Sequence, residues 1–242
     1  TPLYSSAASD VYKRQALACA DALGDSPLYR RDLVDIAKEY LALIYGQHFL
    51  WLLEAEAAGD AERLQKESHV LLALLDDVER ILASDPACHL APLIERAERV
   101  RGAADTARYV REAFSTLGSF EELLDYARRD YYEMVRHYYR PRLEAYLAAA
   151  KKALSEGRRG VEDTEVDAQA REMARRWIEE GYPDEPIPRC DSIAVIRESA
   201  ARWPLTPEER RLADEKLRIA RAAKEAEGPQ HRPWDTADNE KA

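Results

Sequence analysis

Residues 26–64 read SPLYRRDLVDIAKEYLALIYGQHFLWLLEAEAAGDAERL, and this stretch decides the fold. Ser26-Pro27 is an N-cap followed by proline at the first helical position, where the missing N–H costs nothing. Leu33, Ile36, Ala37, Tyr40, Leu43, Ile44 and Gln47 then recur at three- and four-residue spacing and line one helix face. The helix runs to about Ala58. Gly59 can close it in a left-handed turn, and Asp60 can cap a second helix. That second helix buries Leu64, Leu71, Leu72, Leu75, Val78 and Leu82, and Asp85-Pro86 stops it. A two-residue connection between two long helices makes an antiparallel hairpin.

The rest of the chain continues in the same way. Shorter helices are expected near Leu90–Arg101 and Ala104–Ser115. Gly118 breaks the chain. Ser119 and Glu122 form a capping box that opens a very long helix to about Ser155, with Pro141 expected to kink or interrupt it. A polar loop spans Gly157–Asp163, and a further helix runs from Thr164 to about Gly181. Pro183, Pro186 and Pro188 mark a rigid connector before a helix over Asp191–Arg202. Residues 205–227 read as a charged helical extension and 228–242 as a disordered tail. No strand-type alternation of any length occurs. The predicted fold class is all-α, a multi-helix bundle or array with long antiparallel helices.

Composition agrees and narrows the function. The 242 residues include 34% charged side chains but only 9 Gly and 12 Pro, which favours long helices over a sheet. A formal charge of −10 argues against a nucleic-acid grip. The longest apolar run, Val70–Leu75, falls far short of the ~20 residues that span a membrane. Cys19, Cys88 and Cys190 have no partner at metal-ligand spacing and imply neither a disulfide framework nor a zinc site. Thr1–Gln15 lacks the pattern of a signal peptide. It is similar to a translated sequencing adapter, so these residues are expected to be foreign to the domain or poorly ordered, and the native protein to continue upstream of Ala16.

No phosphate loop, metalloprotease motif or nucleophile elbow is present. Asp130, Glu133 and His137 share a helix face, but a bundle di-iron site needs Glu and His three residues apart, on two helices. The expected reading is a solvated charged face, with no metal and no cofactor. The adjacent acids Asp76-Asp77, Glu121-Glu122 and Glu179-Glu180 point about 100° apart on a helix and do not make a catalytic pair. Tyrosine is over-used, 13 against 3 Phe, and Tyr126, Tyr131, Tyr132, Tyr138, Tyr139 and Tyr146 fall on the long helix. Such residues suit interfaces and sugar rings, having an apolar face and a polar tip. Some of the six are expected to face away from the core.

Several segments resemble a known family. Tyr29-Arg30-Arg31-Asp32-Leu33-Val34-Asp35, Ile81-Leu82-Ala83-Ser84, Leu123-Leu124-Asp125-Tyr126-Ala127 and Tyr138-Tyr139-Arg140-Pro141-Arg142 match, in order and spacing, motifs of the helical C-terminal domain of α-N-acetylglucosaminidases, glycoside hydrolase family 89. The resemblance covers residues 16–204. It implies a larger enzyme with a small N-terminal domain, a (β/α)8 barrel holding two catalytic glutamates, and this helical domain packed on the barrel as one wall of the sugar pocket. By the resemblance this chain holds no catalytic residue, and its pocket contacts are Leu123, Tyr126 and Leu117. The family has Trp where Leu117 stands and Pro where Ser119 stands, so the flat stacking surface is lost. The implied partners are the upstream barrel and a terminal α-linked N-acetylglucosamine glycoside. The implied location is secreted, periplasmic or lysosome-like. The alternative is a stand-alone, non-catalytic interaction module using the Tyr131–Tyr146 face.

Overall fold

A computed structural model describes residues 2–101, 105–115 and 129–205, and every regular element among them is helical. Two short helices, α1 (Pro2–Ala18) and α2 (Ala20–Leu23), lead into the hairpin of α3 (Pro27–Ala58) and α4 (Ala61–Ala83). A 3-10 turn (Pro86–Cys88) follows, then α5 (Ala91–Arg101) and α6 (Thr106–Ser115). After residues 116–128 come α7 (Tyr132–Met134), a π-helical turn (Val135–Tyr139) and α8 (Arg140–Ser155), stacked end to end. The chain closes with α9 (Asp163–Glu179) and α10 (Ser192–Arg202).

The hairpin forms for the reasons its residues give. Ser26 Oγ accepts from the Tyr29 N–H at 3.4 Å, and Pro27 occupies the first helical turn. Gly59 sits at φ 73°, a left-handed conformation that ends α3, and its N–H returns to Ala55 and Glu56. Asp60 Oδ1 accepts from the Arg63 N–H at 2.9 Å and starts α4. Leu33, Val34, Tyr40, Leu41 and Leu52 of α3 then bury against Leu71, Leu74, Ile81 and Leu82 of α4. Leu72 and Val78 are only part-buried, because the α3 contact is centred one position round the helix, on Leu74 and Ile81. α1 and α10 cover the hairpin, while α8 crosses α4.

Thr1–Gln15, expected to be adapter-derived or poorly ordered, is helical over residues 2–15. α1 lies along α3, with Lys13 3.0 Å from Asp10 and 3.3 Å above the Tyr40 ring. The long helix differs from expectation. Residues 129–131 are not helical, Tyr131 is extended at φ −105° and ψ 143°, and the rod begins only at Tyr132. The interruption due to Pro141 falls just before it. Proline has no N–H to donate and its ring would collide with the carbonyl four residues back. The π turn over Val135–Tyr139, closed by the Arg140 N–H on Val135 O, widens the backbone at that place and lets the rod continue. The capping box at Ser119 and Glu122, the charged helix from 206 to 227 and the tail from 228 to 242 lie outside the described residues.

Candidate functional site

Leu117, Leu123 and Tyr126 lie outside the described residues, but the two points from which their segment departs and returns are well defined. α6 ends at Ser115, whose hydroxyl donates to Arg111 O at 2.8 Å. The chain resumes at Arg129. Phe114 at the end of α6 and Tyr131 ahead of α7 stack at 5.4 Å with planes 10° apart. The Arg129 guanidinium lies 5.6 Å over the Phe114 ring, and its backbone N–H donates to the Tyr139 hydroxyl at 3.3 Å. The residues that flank 116–128 in sequence, Phe114 and Ser115 on one side and Arg129 and Tyr131 on the other, therefore meet at one corner of the bundle.

That corner has its own small core. Leu90, Ile94, Val110, Met134, Tyr138, Ala174, Trp177 and Ile178 are buried together. Above it the rings continue in a file: Tyr138 to Trp177 at 5.5 Å, Trp177 to Tyr182 at 5.3 Å, and Tyr182 to His137 at 5.9 Å. Arg111 fixes the exit of α9, donating from Nε and Nη2 to Ile178 O at 3.1 and 2.8 Å. Gly181, at φ 78°, lets the chain turn past that guanidinium, which would stand 3.4 Å from a Cβ. Aromatic packing gives stiffness at little entropic cost, so this file makes a rigid corner.

Burial and neighbouring arginines shift the titratable groups at the corner. Burial, with Arg136 alongside, pulls the His137 pKa down, so the ring lies neutral against Tyr182. Burial pushes the Tyr182 hydroxyl up to about 12 and lowers the Arg111 guanidinium. Because the folded pKa of His137 lies below its unfolded value of ~6.5, the unfolded chain binds the proton first on acidification. The stability this supplies is present above the unfolded pKa and is lost as pH falls towards the folded value. His137→Phe, which keeps the stack, is expected to melt with a smaller drop between pH ~7.5 and ~5.5 than the parent chain. Equal drops in paired thermal melts would contradict this.

Asp130, Glu133 and His137 share a helix face in sequence, and the structure sends them to three places. Glu133 is 4% exposed and caps α5, its Oε2 accepting from the Leu90 N–H at 2.7 Å and its Oε1 from the Ala91 N–H at 3.2 Å. Asp130 sits 3.8 Å from Lys38 Nζ. Among the described residues no three His, Cys, Asp or Glu side chains converge as metal ligands. The adjacent acids are likewise in separate arginine pairs: Asp76 with Arg140, Asp77 with Arg202, Glu179 with Arg108. Glu121-Glu122 falls outside the described residues.

The tyrosines of the long helix turn inward. Tyr132 and Tyr138 are 6% and 1% exposed, Tyr131 stacks on Phe114, and the Tyr146 hydroxyl donates to the buried Glu56 at 2.7 Å. Tyr139 packs against Tyr138 at 5.2 Å. Of the five that are described, Tyr132 and Tyr138 are buried, while Tyr131, Tyr139 and Tyr146 stay part-exposed. Three buried acids, Glu56, Glu67 and Glu79, escaped the sequence reading, since each looks like a solvated helix acid until its distant partner is known.

Comparison with known proteins places this geometry. The family model described as "Alpha-N-acetylglucosaminidase (NAGLU) C-terminal domain" matches residues 3–202. Human alpha-N-acetylglucosaminidase is 24% identical over 198 residues, covering 78% of this chain and 26% of that protein. A family 89 glycoside hydrolase from Clostridium perfringens, in complex with PUGNAc, superposes with a TM-score of 0.68 at 19% identity, over 83% of this chain and 24% of that one. A second structure of the Clostridium perfringens enzyme, in complex with its substrate GlcNAc-alpha-1,4-galactose, gives 0.67 at 20% identity, over 80% and 23%. The likeness to the solved structures carries the fold. The chain spans about a quarter of the length of these relatives.

Proposed function

From the premise that this chain belongs to the α-N-acetylglucosaminidase C-terminal domain family, we propose that it is the helical part of an α-N-acetylglucosaminidase-like glycoside hydrolase. Residues 3–202 form that domain. It packs on a catalytic (β/α)8 barrel supplied by the upstream chain and forms one wall of the pocket for a terminal α-linked N-acetylglucosamine. The observation that carries the reading is the family match across residues 3–202, which reaches from α1 to α10. The aromatic corner supports it: Phe114 and Tyr131, which flank the stretch carrying Leu117, Leu123 and Tyr126 in sequence, stack on each other.

In this reading the chemistry belongs to two carboxylates outside this chain, ~5–5.5 Å apart, acting with retention. The helical domain binds and orients. Tyr126 offers a hydroxyl or ring to the sugar, Leu123 an apolar edge, and Leu117 an apolar contact in place of a stacking Trp. Tyr126→Phe, made in the intact enzyme, is expected to lower kcat/KM roughly three- to ten-fold, the worth of one neutral hydrogen bond. Leu117→Trp is expected to lower KM by restoring a flat face. Steady-state kinetics on an aryl α-N-acetylglucosaminide read both. Unchanged constants in both variants would remove this segment from the pocket.

A further inference from the structure

α3, α4, the π turn with α8, and α9 line a half-open pocket of about 410 Å³. This volume lies in the range of small-molecule pockets, ~300–1,000 Å³. α9 is anchored through Trp177 and Ile178 at one end, while its other half presents Val166, Gln169, Ala170 and Met173 to the pocket. Phe49, Leu75, Val78, Val135 and Leu143 form apolar walls, and Gln169 adds one neutral polar group.

The polar groups at the cavity define what it can hold. Lys38, at the mouth, is 2.9 Å from Asp35 and 3.8 Å from Asp130, and Arg142 lies 4.9 Å over the Tyr138 ring. The Lys38 charge is thus met by two carboxylates within the protein, and Arg142 is turned onto an aromatic face. Tyr45 is different. It lines the cavity, stacks parallel to Phe49 at 6.2 Å and 9°, and its hydroxyl has no hydrogen-bond partner among the described residues. We propose that this cavity is a binding site for an uncharged, largely apolar small molecule, flat or short-chained, that carries one hydrogen-bonding group for the Tyr45 hydroxyl. Burial pushes that hydroxyl up to about 12, so it keeps its proton at any ordinary pH. The site uses none of Leu117, Leu123 and Tyr126, and does not rest on the glycosidase reading.

The probe is N-phenyl-1-naphthylamine, uncharged and apolar with a single N–H, titrated into the whole chain and read by fluorescence. The expected result is saturable, blue-shifted emission at one probe per chain. Tyr45→Phe, which keeps the wall and removes the hydroxyl, is expected to weaken binding roughly three- to ten-fold. Ala170→Trp is expected to fill the cavity and abolish saturable binding, and Ala42→Phe does the same from α3 should the first variant lose its cooperative melt. The proposal is overturned by a cooperatively folded chain that binds no probe. It is equally overturned by probe binding that survives either filling variant. Probe binding that falls as the chain self-associates, followed by light scattering on a size-exclusion column, would make the cavity a contact between copies and also overturn it.

Discussion

Asp77→Ala is expected to lower the stability of the domain by about 2–3 kcal/mol, the range for stripping a partly buried donor of its charged acceptor. Asp77 is 0% exposed on α4. Its Oδ2 accepts from the Trp203 indole N–H at 2.7 Å, and its Oδ1 from Arg202 at 3.1 Å, with Arg80 at 3.5 Å. This single carboxylate fastens the end of α10 to the central hairpin. The neighbouring Trp203 carbonyl accepts from the Tyr40 hydroxyl at 2.6 Å, so the same junction also reaches α3. Alanine leaves the indole donor without its acceptor, while the half-exposed Arg202 and Arg80 guanidinia return to water. At roughly 2–4 °C per kcal/mol for a chain of this size, thermal melting should shift downward by about 4–12 °C. Asp77→Asn, which can still accept from the indole, is expected to lose less. A shift of under 2 °C for Asp77→Ala would show that α10 is held by its apolar face alone.

Glu133→Ala is the second large effect, about 2–3 kcal/mol for two backbone donors stripped of a charged acceptor. α5 begins at Ala91, and the N–H groups at and before its start point at this carboxylate rather than at a local Ser, Thr or Asp. The charge also sits at the positive end of the α5 dipole. Removing it should loosen α5 in particular. Hydrogen exchange is therefore expected to rise first across residues 90–101, with the α3–α4 hairpin unaffected. Exchange that rises uniformly, or not at all, would mean that Glu133 is not the cap of α5 in solution.

These two residues also show where sequence legibility stopped. The hairpin was readable because its signals are local: Ser26-Pro27 starts α3, Gly59 ends it, and Asp60 starts α4 within a single turn of chain. Glu133 caps a helix whose start is 42 residues away, and Asp77 meets Trp203 from 126 residues away. Neither pairing leaves a mark on periodicity, and an acid facing inward reads like any acid on a charged helix. The rod from Tyr132 to Ser155 was half legible. Pro141 announced an interruption, but a π turn ahead of the proline and an extended Tyr131 depend on how α7 meets α4 and α5. The corner that carries the candidate site was legible at one level only. Motif order pointed to residues 117–126, while the aromatic corner at the residues flanking that stretch is assembled from Phe114, Tyr138, Trp177 and Tyr182, which no spacing rule connects.

That this chain is the helical domain of a larger α-N-acetylglucosaminidase-like enzyme, as proposed above, is tested by recovering the complete reading frame from its source DNA, expressing it, and assaying hydrolysis of an aryl α-N-acetylglucosaminide beside this chain alone. The expected result is an upstream barrel with two candidate glutamates, turnover by the complete protein, and none by this chain alone. A complete reading frame without such a barrel, or a complete protein that folds and leaves the α-N-acetylglucosaminide intact, would contradict it.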